Sequence, residues 1–139
     1  MTLSKPERER IRMMFGGRCA YCGCLLGEKG WSPDHVEPVV RFVKYMRTSD
    51  PADYRTPRKR VLCMQNPGND RVDNLYPACR ACNINKSSMT LEQWRKFLTN
   101  GPESLASYNG RFKHMLRFKI VVVNPDPFQF WFEKYRALR

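Results

Sequence analysis

Two Cys-x-x-Cys pairs, Cys19-Ala-Tyr-Cys22 and Cys79-Arg-Ala-Cys82, limit how this chain can fold more than any other feature in it. Two residues between cysteines let both sulfurs reach one ion without strain, so two such pairs can close a tetrahedral zinc site with four thiolates. A site closed in this way is structural and leaves the chemistry to other residues. The rival reading of the 6 cysteines, a disulfide scaffold, needs an oxidising compartment, and the start Met1-Thr-Leu-Ser-Lys-Pro-Glu-Arg lacks the apolar core of an export signal. Cys24 and Cys63 fall outside the pairs. Cys24 is near enough to the first pair to compete for the metal, but both read more simply as small, partly buried apolar side chains.

At 139 residues the chain suits one domain, expected to span 1–139 with a core at about 19–86 and extensions at 1–18 and 87–139. Lys and Arg number 25 against 13 Asp and Glu, a net charge of +12 that favours a polyanionic partner and speeds association with it. Nucleic acid leads. A membrane surface is weaker, because no apolar run approaches the roughly 18 residues of a spanning helix. The expected location is the cytoplasm, that of the host cell if the chain is phage-encoded.

Between the pairs lies Asp34-His35, preceded by Pro33, so an extended strand ending on the Asp-His pair is expected. Ser4 and Glu7 have capping-box spacing, and a helix should follow with Ile11, Met14 and Phe15 on one side until Gly16-Gly17 stops it. Val39 to Met46 is apolar with interspersed cations, and its periodicity does not choose between helix and strand. Arg47 to Arg60 carries Arg47, Arg55, Arg58, Lys59 and Arg60 with two prolines and reads as an exposed basic loop. Val61 to Met64 suits a short strand, Asn66-Pro-Gly-Asn69 a turn, and Asn74 to Cys79 a second extended piece that Pro77 confines to an edge or bulge. Helices are expected from Arg80 to about Lys86 and from Thr90, the latter with Gln93 for a capping box and Leu91, Trp94, Phe97 and Leu98 on one face. Farther on, Phe118 to Val123 reads as a strand, Asn124 to Pro127 as a turn, and Phe128, Trp131, Phe132 and Tyr135 as a helical stripe.

A strand ending in Asp-His, a second strand opening on Asn, and a helix bearing Asn and Lys resemble the HNH endonuclease family, the ββα-metal nucleases. The matching residues are Cys19, Cys22, Asp34-His35, Asp73-Asn74-Leu75, Cys79, Cys82-Asn83 and Lys86. The fold the resemblance implies is α+β, a small ββα-metal core stapled by four cysteines on zinc, with flanking helices. The activity it implies is hydrolysis of DNA phosphodiester bonds, with nicking or double-strand cleavage and low sequence preference. His35 would be the general base, Asn74 would tie down the loop that orients it, and Asp34 with Asn83 would hold one magnesium or manganese ion. Asn85 is the substitute for Asn83. Arg80 and Lys86 would contact phosphates, joined by Arg55, Arg58, Lys59 and Arg60 of the basic segment. The span from His35 to Asn74 exceeds the family's usual connection, so that segment resembles an insertion that either reaches over a duplex or holds the two halves of the site apart. Small standalone members resemble proteins of phages and mobile elements, which makes a second copy of the chain, or packaging or recombination proteins, further candidate partners.

Two other functions compete. A zinc-stabilised nucleic-acid-binding module without hydrolytic activity would use the same charge and stack bases on Tyr21, Trp31 and Tyr76. A recruiter of a larger enzyme would use the apolar segment around Trp131, provided that segment does not pack onto the core. His114 has no cysteine, carboxylate or amide motif around it and reads as an ordinary surface residue.

Overall fold

The computed structural model describes residues 2–47 and 58–138, and residues 48–57, Arg55 among them, lie outside these. Its class is mixed α+β. Among the described residues the order is α1 (Lys5–Met13), β1 (Trp31–His35), β2 (Val40–Arg47), β3 (Arg58–Gln65), β4 (Leu75–Cys79), α2 (Arg80–Lys86), α3 (Leu91–Thr99), α4 (Gly101–Tyr108), α5 (Gly110–Arg117) and α6 (Trp131–Ala137). The strands make two separate antiparallel pairs, β1 with β4 and β2 with β3.

The local signals at the helix starts hold. Ser4 and Glu7 form the capping box of α1, and the chain leaves that helix through Gly16 and Gly17 at φ 67° and 69°, where a glycine avoids the steric cost of the left-handed region. Ile11 and Phe15 pack inward, but Met14 stays 39% exposed. Thr90 and Gln93 make the same box for α3, which buries Trp94 and half-buries Leu91 and Leu98. Phe97, expected on that face, is 57% exposed.

In the β1–β4 pair Trp31 faces Cys79 and His35 faces Leu75, so one end of the ladder carries a cysteine of the second pair and the other the histidine. Pro33 and Pro77 face each other. At a position where neither residue owes the ladder an N–H, two prolines cost no hydrogen bond. The Pro77 carbonyl accepts instead from the Ala20 amide at 2.8 Å, which ties the first cysteine loop to β4.

Three expectations need correction. The basic segment is not a loop throughout, because its ends are strands of the β2–β3 hairpin, and Arg58 to Arg60 belong to β3. This also resolves Val39 to Met46, which is strand from Val40. The hairpin does not hold the site apart. Antiparallel strands return to where they started, and the Val36 amide donates to the Asn74 carbonyl at 2.9 Å just beneath it. Phe118 to Val123 is not a strand. It follows α5 as irregular chain with Phe118, Ile120 and Val122 more than 70% exposed, because β propensity needs a neighbouring strand to pair with and none lies beside it among the described residues. Helices α4 and α5 were not legible, and Asn109 starts the second of them by accepting from the Phe112 amide at 3.0 Å.

The C-terminal stripe packs onto the core, with Phe130 and Phe132 buried. The Trp131 amide donates to the Tyr21 carbonyl at 2.9 Å and the Phe132 amide to the Ala20 carbonyl at 2.8 Å. The recruiter reading of Trp131 therefore lapses. Phe130 sits among Tyr21, Trp94 and Phe132 at centroid distances of 5.7, 5.2 and 5.8 Å. Gly23, at φ 77°, lets the loop pass under the Trp131 ring, where a Cβ would stand 3.0 Å from ring carbons. Gly23→Ala should cost about 1–3 kcal/mol in denaturant unfolding, from the forced conformation and the overpacking together. Gly68→Ala, with open space around its Cβ position, should change stability by less than about 0.5 kcal/mol.

Candidate functional site

The ligating sulfurs of Cys19, Cys22, Cys79 and Cys82 all lie within 4.8 Å of one another, and the Cys22 and Cys79 sulfurs are 3.8 Å apart. Four bonds of about 2.3 Å to a tetrahedral ion require sulfur–sulfur edges of about 3.8 Å, so the quartet has the size of a site for a structural metal ion such as zinc. Backbone amides support the sulfurs. The Cys79 amide donates to Cys19 Sγ at 3.4 Å and the Cys82 amide to Cys79 Sγ at 3.5 Å, the latter also capping α2. Cys24, read as partly buried, is exposed beside this cluster, and Cys63 is half-buried on β3.

At the other end of β1 is a polar cleft of about 420 Å³ lined by Asp34, His35, Arg41, Asp70, Asn83 and Ser87, among others. β1 delivers Asp34 and His35, α2 delivers Asn83, and the chain leaving β3 delivers Asp70. His35 Nε2 lies 2.9 Å from Asp70 Oδ1, with both side chains less than 20% exposed. A carboxylate there favours the Nε2–H tautomer and leaves the lone pair on Nδ1. Arg41 adds its guanidinium 3.6 Å from the same Asp70 oxygen. Asp70 carried no sequence signal. It stands 35 positions from His35 and is brought there by the turn at Pro67–Asn69, entered through Asn66 at φ 56° and tied down by Asn69 Nδ2, which donates to the Pro38 carbonyl at 3.3 Å.

Asn74 does not line this cleft. Its Oδ1 accepts from the Glu37 amide at 2.9 Å, and its Nδ2 donates to the carbonyls of Glu37 at 2.9 Å and Asn69 at 2.8 Å. The side chain thus clamps the loop after His35 to the turn before Asp70, fixing both partners of the pair.

Lys86 is a correction. It is fully buried and out of reach of any phosphate. Its Nζ donates to the His35 carbonyl at 2.7 Å and pairs with Asp34 Oδ2 at 3.0 Å. A buried ammonium must be paired, and this one is held by the two residues of the Asp-His motif. The Tyr21 hydroxyl also donates to Asp34 Oδ2. Burial is the largest influence on Asp34 and raises its pKa, with Lys86 pulling the other way. Burial and the Asp34 charge push the Tyr21 pKa up, so the phenol stays a donor. Both contacts fall on Oδ2, and neither uses Oδ1. Asp34, His35 and Asp70 do not by themselves gather into a metal-holding group among the described residues.

Arg80 is exposed at the start of α2 and Arg60 is exposed on β3. Asn85 is engaged, its Oδ1 accepting from Trp94 Nε1 at 2.7 Å, which leaves Asn83 as the amide in the cleft. Tyr21 and Trp31 are 4% exposed and so cannot stack on bases, which removes most of the aromatic platform of the non-catalytic reading. Among the described residues no helix is long and apolar enough to cross a membrane.

No protein-family model, curated protein or solved structure matches the chain.

Lys86→Met keeps side-chain volume but strands a buried carboxylate. It should destabilise the fold by about 3–5 kcal/mol at neutral pH. Loss of the cation raises the folded-state pKa of Asp34 further above its unfolded value. The variant is therefore at its best where Asp34 is protonated and loses stability as pH rises through the raised pKa. The gap from wild type, followed by urea unfolding, should narrow toward about pH 4–5 and widen toward neutrality.

Proposed function

We propose that the chain is a metal-dependent endonuclease of the HNH type that hydrolyses phosphodiester bonds in DNA. The observation that carries this reading is one cleft in which the Asp-His end of β1, the Asn83 amide of α2 and the Asp70 carboxylate meet. Pure binding has no need of an imidazole oriented by a carboxylate. The β1–β4 pair followed by α2 also has the strand-strand-helix order the motif implies.

His35 takes a proton from the attacking water at Nδ1, while its Nε2–H is anchored on Asp70 and the charge that develops on the ring is stabilised there. Asn74 and Lys86 keep that ring in place, one through the loop after it and the other through its carbonyl. Asp34 and Asn83 offer two hard oxygen donors, a set that suits a magnesium- or manganese-class ion completed by water and phosphate. Such an ion, when bound, supplies charge relief on the phosphate and the leaving oxygen. Arg41, at the rim of the cleft, is the side chain best placed to meet an incoming phosphate.

The ion of the cysteine quartet is taken to be zinc, since four thiolates on a tetrahedron select it. Metal analysis should return about one zinc per chain, and Cys79→Ser should lose it together with the cooperative melting transition. A folded wild-type protein free of zinc would contradict this assignment.

On supercoiled plasmid the chain should relax DNA in magnesium or manganese and not in chelator. His35→Ala should slow relaxation by about 100-fold or more, the usual contribution of a positioned general base. Undiminished cleavage by that variant would remove His35 from the role.

A further inference from the structure

Among its described side chains the β2–β3 hairpin buries none in the core. Each strand has 8 residues, so the ribbon is about 27 Å long, and every described side chain on it is half-buried or exposed, with Tyr45 at 64% and Leu62 at 69%. A two-stranded ribbon without a floor is marginally stable in water. Its described cations Arg41, Lys44 and Arg60 are all exposed, with Arg60 standing opposite Tyr45. A polyanion laid along the ribbon would meet these cations. The two faces also differ. Arg41, Val43 and Tyr45 alternate onto one face with their partners Leu62 and Arg60, whereas Phe42 and Lys44 lie on the other, the lysine ammonium 5.5 Å from the Phe42 ring centroid. The Arg41 face runs directly into the cleft, where that guanidinium meets the Asp70 that holds His35.

We propose that the β2–β3 ribbon is a binding arm for duplex DNA, lying in the major groove with its Arg41–Tyr45–Arg60 face toward the bases and backbone. The endonuclease reading supplies the purpose of the cleft at its foot, but the binding itself is independent of hydrolysis. Strands about 4.8 Å apart with their side chains fit a B-form major groove about 12 Å wide, while the major groove of duplex RNA is too deep and narrow to admit them. The arm thus selects double-stranded DNA by shape.

The test is fluorescence anisotropy of a labelled duplex with the full chain carrying His35→Ala, which keeps cleavage out of the measurement. Arg60→Glu and Lys44→Glu change net charge equally but lie on opposite faces. Arg60→Glu should weaken binding at least about tenfold and reduce the slope of log affinity against log salt by about 1–2, while Lys44→Glu should cost less than about threefold. Arg60→Gln guards against a charge reversal that merely unravels the ribbon: it should lose affinity in the same sense with an unchanged melting curve. Equal losses from the two faces, no loss from Arg60→Glu, or duplex RNA bound as tightly as duplex DNA would each overturn the proposal. Wild type that fails to nick plasmid while Arg60-dependent binding persists would sink the nuclease reading alone and leave the arm standing.

Discussion

The meeting of the two cysteine loops is the constraint on which the remaining architecture rests. Residues 19–22 and 79–82 share one corner of the molecule because their four sulfurs do. From that corner the Pro77 carbonyl holds the Ala20 amide, and the carbonyls of Ala20 and Tyr21 receive the incoming α6, so one small loop anchors β4 on one side and the C-terminal helix on the other. The β1–β4 register then converts this anchor into a position for His35. With Trp31 fixed opposite Cys79, four residues of extended chain carry the histidine about 13 Å away to the opposite end of the ladder.

Lys86 joins that anchored core to the cleft. Its ammonium is held by the Asp34 carboxylate and the His35 carbonyl, so the helix that begins at the cysteine corner ends by gripping the residues that face the cleft. A buried ion pair is a poor source of stability, because desolvation cancels most of the attraction. Its value here is specificity. Any shift of α2 along β1 would leave two charges unpaired inside the protein, which penalises every register but one.

The parts of this structure that could be read from the sequence are those encoded by neighbours in the chain. Capping boxes at Ser4 and Thr90 need only residues three apart, the cysteine pairs need only four, and proline before Asp34 biases the backbone without help from tertiary contacts. Side-chain destinations were less legible. Lys86 looked like a phosphate ligand because lysines are rarely buried, and nothing local reveals that Asp34 waits for it inside. Asp70 was invisible for a similar reason, since its partnership with His35 exists only after the hairpin folds back. Phe118 to Val123 shows the converse failure. Its composition is that of a strand, but a strand is a relation between two segments, and among the described residues no second one lies beside it.

The hairpin root has a further consequence for how such a molecule can change. The foot of the ribbon is closed by the Val40–Gln65 pair, and the His35, Asp70 and Asn74 contacts lie below it, with no described residue of either strand buried in the core. Loop-closure entropy grows only logarithmically with length, so extending or exchanging the distal half of the ribbon perturbs the contacts beneath it very little. In the endonuclease proposed above, target choice and bond hydrolysis would thereby be separable inheritances, and a lineage could drift in one without surrendering the other.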